Sequence, residues 1–154
     1  MNFSRLDFDL PKLLQEMEKI MERNSLPRNY LHIEITESAV MENEAYMKDT
    51  VRELHTLGYK VWMDDFGSGY SSLNVLKDFD FDLIKIDMML LQDTNEKSRK
   101  IISSIVDMAK KIGIRTLAEG VETEEQLDFL REIGCEKLQG YYIDRPGPYQ
   151  NGIL

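Results

Sequence analysis

Short runs of β-branched and apolar residues alternate along the chain with stretches whose apolar positions recur every three or four residues. The runs lie at Asn2 to Ser4, Leu31 to Thr36, Lys60 to Asp64, Leu83 to Asp87, Arg115 to Ala118 and Lys137 to Tyr142. Each is nearly all apolar until its polar last residues, as expected of strands buried on both faces. Between them, four stretches read as amphipathic helices. From Leu10 to Arg23 the stripe is Leu13, Leu14, Met17, Ile20 and Met21, with Pro27 beyond the end. From Glu44 to Leu57 it is Met47, Val51, Leu54 and Leu57, closed by Gly58. From Glu96 to Ile112 it is Ile101, Ile102, Ile105, Met108, Ala109 and Ile112, closed by Gly113. The fourth starts at Thr123 with Gln126 three residues on, the spacing of a capping box; it buries Leu127, Leu130 and Ile133 and ends at Gly134.

Strand–helix alternation implies parallel strands joined by right-handed crossovers. A doubly wound open sheet and a closed β/α barrel both satisfy this, and both carry their chemistry at the carboxyl ends of the strands. Those ends are acidic here. Tyr59-Lys-Val-Trp-Met63 runs into Asp64-Asp65 and then Phe66-Gly-Ser-Gly69. Glu34 and Glu37 end another run, as do Lys85 and Asp87, Glu119 and Glu122, and Gln139. Functional residues spread over at least five strands favour the barrel. A closed barrel needs eight strands and about 250 residues, whereas 154 residues supply six strands. The expected fold is therefore α/β: a partial (β/α)8 TIM-type barrel with about six of eight strands, cut at both ends.

Composition narrows the chemistry. The net charge of -9 argues against long nucleic acid, which needs basic patches. No run of about 18 apolar residues marks a membrane span. The single cysteine, Cys135, excludes an internal disulfide and fits a reducing, cytoplasmic setting; a membrane anchor upstream in a parent protein stays open. Two histidines, His32 and His55, do not suggest a histidine-rich zinc site. Both are read as structural, as are Trp62 and Cys135. Carboxylates clustered at one end of several strands repel each other unless cations lie between them. A lysine inside the apolar run Leu83 to Met88 is costly to bury without a partner. Other groups have plainer readings when taken singly. Asp64 and Asp65 suit a turn, Glu34 and Glu37 suit an exposed edge, and Glu122 suits the first turn of a helix. Asn2 lies where a terminus frays.

The series Asn2-Phe-Ser, Glu34-Ile-Thr-Glu37, Asp64-Asp-Phe-Gly-Ser-Gly-Tyr-Ser-Ser-Leu73, Lys85-Ile-Asp87, Ala118-Glu-Gly-Val-Glu-Thr123 and Gln139-Gly-Tyr-Tyr142 resembles the EAL domain. That family is the bacterial phosphodiesterase that cleaves cyclic di-GMP. The resemblance covers essentially residues 1–154, read as a single incomplete EAL domain, the C-terminal two-thirds of the barrel. It implies two Mg2+ or Mn2+ ions. Asn2, Glu34 and Asp64 would hold the first, and Asp64 would bridge to the second beside Asp65. Two such ions about 4 Å apart activate a bridging water and steady the leaving oxygen. Lys85 would orient that water or stabilise charge at phosphorus, and Glu119 and Gln139 would complete the metal and water shell. Glu37 would pin the loop after Asp65, with Asp87 and Glu122 in support, and the product would be linear pGpG.

The chain departs from the family in lacking the Glu-Ala-Leu strand, whose glutamate is a metal ligand and whose following arginine contacts a ligand phosphate. The expectation is thus a parent phosphodiesterase and an impaired fragment. A non-catalytic cyclic di-GMP receptor, or a regulatory or oligomerisation module, is the alternative. Exposed strand edges point to a homodimer or domain-swapped oligomer. A cyclase or sensor domain upstream is compatible with the sequence.

Overall fold

The computed structural model describes residues 2–3, 10–67, 73–87, 89–92 and 95–147. The last residue of the expected first strand, Ser4, and Ser68 and Gly69 of the expected turn lie outside the described residues, as does the side chain of Asn2. The chain forms two compact units, Met1–Lys85 and Ile86–Leu154.

In the first unit, β1 (Asn2–Phe3), β2 (His32–Thr36), β3 (Lys60–Phe66) and β4 (Leu83–Ile86, whose last residue belongs to the second unit) follow each other in sequence order across the sheet. The strands β1, β2 and β3 pair in parallel, with Asn2 opposite Glu34, Glu34 opposite Trp62 and Thr36 opposite Asp64. Alternation sorts β2 into two faces. Ile33 and Ile35 are fully buried, while His32, Glu34 and Thr36 on the other face are half-buried. The connections are helical: α1 (Leu10–Arg23), then α2 (Glu37–Glu42) and α3 (Glu44–Thr56), then α4 (Leu73–Asp78). Leu14, Met17 and Met21 form the buried stripe of α1. Ile20, expected within it, is 58% exposed, because its angular position falls beyond the stripe's edge. Asn43 caps α3 by accepting from the Tyr46 amide, and Gly58 at φ +90° turns the chain into β3.

Side chains tie these layers together at the amino ends of the strands. The buried Tyr59 hydroxyl donates to Glu18 of α1, which also accepts from Arg28 at 2.7 Å. Burial first, and the Glu18 contact second, push the Tyr59 hydroxyl up to about 12. Asp82, just before β4, accepts from Lys60 Nζ at 2.7 Å and from the Val61 amide at 2.9 Å, and pairs with His55 Nε2 at 2.9 Å.

In the second unit, α5 (Met89–Gln92) and α6 (Glu96–Lys111) precede β5 (Arg115–Ala118), which pairs in parallel with β6 (Lys137–Leu138) through α7 (Glu124–Glu132). Its core is Ile86, Ile102, Val106, Ala118, Val121, Leu130 and Cys135. Thr123 and Gln126 form the complete reciprocal capping box of α7. Ile101 and Ile112, expected on the inner stripe of α6, are 43% and 50% exposed, whereas Ile102, Val106 and Ala109 form the buried line. Among the described residues, no helix is long and apolar enough to cross a membrane.

The six strands fall where the hydrophobic runs predict. Several boundaries differ: β2 begins at His32 rather than Leu31, β3 runs on to Phe66 rather than Asp64, and β4 stops at Ile86 rather than Asp87. Glu37 does not end a strand: Thr36 is the last residue of β2 and caps α2 through its hydroxyl, so Glu37 opens a helix. The last strand stops at Leu138 rather than Tyr142, because the chain turns at Gly140, whose carbonyl accepts from the Ile143 and Asp144 amides.

Asp82 links fold to pH. Its burial disfavours charge, but Lys60, the Val61 amide and His55 outweigh that, so its carboxyl titrates below the ordinary range. A lowered folded value gives stability that is complete above the unfolded value, about 3.9, and is lost as pH falls through the folded one. Asp82→Ala should therefore cost about 1–3 kcal/mol at pH 7, chiefly by orphaning the Val61 amide. Urea titrations should show the gap from wild type narrowing as pH drops below about 3.9; an unchanged gap at acid pH would refute the linkage.

Candidate metal and phosphodiester site

Three parallel strands of the first unit deliver one group each to a common point. Lys85 of β4 is 7% exposed and Asp64 of β3 is 6% exposed. The Lys85 ammonium lies 2.8 Å from Asp64 Oδ1 and 3.2 Å from Glu34 Oε2 of β2. A buried lysine demands such partners, and the sequence pattern that singled it out is explained. Beneath this polar layer, one alternation step toward the amino ends, His32 stacks on Trp62 with ring centroids 4.1 Å apart. Matching parity along the two strands (His32 with Glu34, Trp62 with Asp64) carries this information in the sequence, but pairing the strands is needed to read it.

Asp64 and Asp65 are adjacent, and an ordinary strand would send them to opposite faces. The chain resolves this at Asp65 itself. Its φ is +57°, an uncommon conformation that aspartate tolerates better than most residues. There the Asp65 amide donates to Asp64 Oδ1 at 3.1 Å, and the exposed Asp65 carboxylate is released from the strand alternation. Gly67, at φ +96°, continues the turn after β3 ends at Phe66. The expected glycine turn thus begins one step earlier, on a catalytic candidate. Glu37, at the first position of α2, is 6% exposed.

The second unit gathers the remaining candidates. Glu119 follows β5, and its amide donates to the Ile86 carbonyl at 3.2 Å. The main chain of Gln139 is held on both sides, its amide donating to Ala118 O at 2.9 Å and its carbonyl accepting from the Val121 amide at 3.0 Å. These bonds place the exposed Gln139 side chain beside the loop that begins with Glu119. Gly140 makes the close approach feasible, since a Cβ there would run into the Val121 main chain. The Glu122 amide donates to Gln126 Oε1 at 2.8 Å, so this residue sits at the α7 cap, in line with its plainer helix-terminal reading. Asp87 Oδ1 accepts from the Met89 amide at 2.7 Å and opens α5.

Glu34, Asp64 and Asp65 are hard oxygen donors of the kind that Mg2+ or Mn2+ accept. Two of them already converge on a positive charge, so the chemistry of the donor set fits such an ion. Among the described residues, no three His, Cys, Asp or Glu side chains are gathered around a single ion position.

A family model described as the EAL domain matches residues 1–146. The chain belongs to the EAL domain family. It is 38% identical over 138 residues to the cyclic di-GMP phosphodiesterase NbdA of Pseudomonas aeruginosa, covering 88% of this chain and 18% of that protein. It superposes on the PaMucR phosphodiesterase in complex with c-di-GMP at a TM-score of 0.87 and 35% identity, covering 96% of this chain and 60% of that one. It also superposes on a manganese and cyclic di-GMP complex of Klebsiella pneumoniae BlrP1 at a TM-score of 0.83 and 32% identity, covering 88% of this chain and 35% of that one. The fold is thus that of the EAL domains. The first curated relatives are longer proteins, of which the chain spans 18% and 19%.

Gly140 gives a structural test of the Gln139 segment. Gly140→Ala should cost about 1–3 kcal/mol in urea unfolding, because the methyl group must displace main chain. A cost near zero would mean that the contact with Val121 relaxes freely.

Proposed function

We propose that this EAL chain acts on cyclic di-GMP, hydrolysing one phosphodiester bond to give linear pGpG. The observation that carries the reading is the meeting of Glu34, Asp64 and Lys85 at one buried point. The names of NbdA and of the MucR and BlrP1 structures support the substrate, and the BlrP1 complex supports manganese as one metal. On this reading Asn2, Glu34, Asp64, Asp65 and Glu119 hold two divalent ions, magnesium or manganese. When bound, such ions supply an activated water and stabilise the leaving oxygen.

The chain's own residues do the rest. Asp64 is oriented through its Oδ1, which accepts from the Asp65 amide and faces the Lys85 ammonium. Lys85 sets a positive charge against the acid pair, in a place to orient a water or to offset charge that builds at phosphorus. Glu119 and Gln139 complete the polar shell, Glu37 pins the loop after Asp65, and Asp87 and Glu122 hold the starts of the following helices. MucR is named as both a diguanylate cyclase and a cyclic di-GMP phosphodiesterase, and this supports a cyclase or sensor module in the longer protein.

Incubation of the chain with cyclic di-GMP and manganese, followed by chromatography, tests the proposal. Release of pGpG is expected from a version extended upstream through the Glu-Ala-Leu strand and little or none from this chain alone, and Asp64→Asn or Glu34→Gln in the extended version should lower it by more than about 100-fold. Ligand that is retained but never cleaved by the extended version would favour the receptor reading instead.

A further inference from the structure

We infer that Lys85 is a built-in counter-cation, which holds Glu34 and Asp64 together while no divalent ion is bound and yields its place when one binds. The inference rests on the metal-dependent reading of the site and assigns Lys85 a second role within it, in stability and metal affinity.

Two observations carry it. The ammonium contacts an oxygen of each carboxylate, at 2.8 Å and 3.2 Å, while the Lys85 side chain is 8% exposed. Asp64 is equally enclosed, at 8%. Two carboxylates drawn this close in a largely dry site repel strongly unless a positive charge lies between them. The acid pair is organised around the lysine. A divalent ion needs oxygen atoms at about 2.1 Å. Two cations competing for the same oxygens repel each other, so the carboxylates can close on the ion only as the ammonium withdraws. Lysine suits this exchange better than arginine would. It carries a compact charge on a flexible four-carbon stem and can retract without leaving the site. Held in reserve close by, the same ammonium is available for the role proposed above.

Lysine and metal therefore substitute for each other as the neutralising charge. Removal of Lys85 should make the fold depend on metal and should tighten metal binding. Thermal unfolding and manganese titration calorimetry of the whole chain test this. In EDTA, Lys85→Met should melt about 10 °C below wild type, as expected when a buried charge loses its partner. Manganese should restore most of that loss in the variant while shifting wild type far less, and the variant should bind manganese on the order of tenfold more tightly.

The double variant Lys85→Met with Glu34→Gln removes one of the repelling carboxylates and should regain stability in EDTA, which also covers the case of a single variant too unstable to purify. If the double variant stays as unstable as the single one, Lys85 acts by packing and the inference fails. It fails equally if manganese binds both proteins with the same affinity and the same shift, a result that leaves the metal-dependent reading standing. Absence of manganese binding to either protein would overturn that reading together with this inference.

Discussion

Like charges brought to the ends of neighbouring parallel strands must be neutralised, and the first unit is built around that requirement. Glu34, Asp64 and Lys85 come from three different strands, and their side chains are 20%, 8% and 8% exposed. None could be buried alone, since an isolated charge in such a place would cost several kcal/mol. Together they form a compact layer, with an aromatic stack below it and the left-handed turn at Asp65 above it. Each neighbouring feature follows from keeping that layer in register. The β2–β3 pairing sets Thr36 opposite Asp64, and the Asp65 amide fixes one Asp64 oxygen.

The opposite ends of the strands show the contrasting use of charge. Asp82 gathers Lys60, His55 and the Val61 amide, and Glu18 gathers Arg28 and the Tyr59 hydroxyl. Every partner there is satisfied by another side chain or by main chain, and these groups bind α1 and α3 to the start of β3. At the carboxyl ends Glu34, Asp64 and Lys85 meet at one buried point instead, next to Asp65 with its uncommon backbone conformation. A fold of this kind separates stability from function along the strand axis.

The second unit relies on main chain more than on charge. The Gln139 main chain spans from Ala118 to Val121, and Gly140 lets two backbone segments touch where any side chain would separate them. Glu119 and Gln139 are thereby fixed in relation to each other by backbone hydrogen bonds, which tolerate little drift. The capping box at Thr123 and Gln126 anchors the same loop from its far end and also engages the Glu122 amide.

Much of this was legible in the sequence because periodicity and capping are local properties. The α1 helix runs from Leu10 to Arg23 as its stripe predicts, and the Thr123 box is present. Lys85 was conspicuous for a thermodynamic reason, since an apolar run does not bury a lysine without a partner. The short helices α2, α4 and α5 leave no periodic signature, because four to six residues are too few to display a helical period. For the same reason the sequence pattern attaches Glu37 to the end of a strand, whereas it is the first residue of a helix. Periodicity points Ile20, Ile101 and Ile112 inward although they lie outward, because it ranks apolar positions without showing how wide a stripe the neighbours cover. Which two carboxylates share the lysine, that His32 lies on Trp62, and that the alternation breaks at Asp65 and not at the glycines were decided by tertiary structure alone. The first two depend on how separate strands are brought side by side, a relation that local sequence does not contain; the third is a backbone conformation at Asp65 that the folded chain selects.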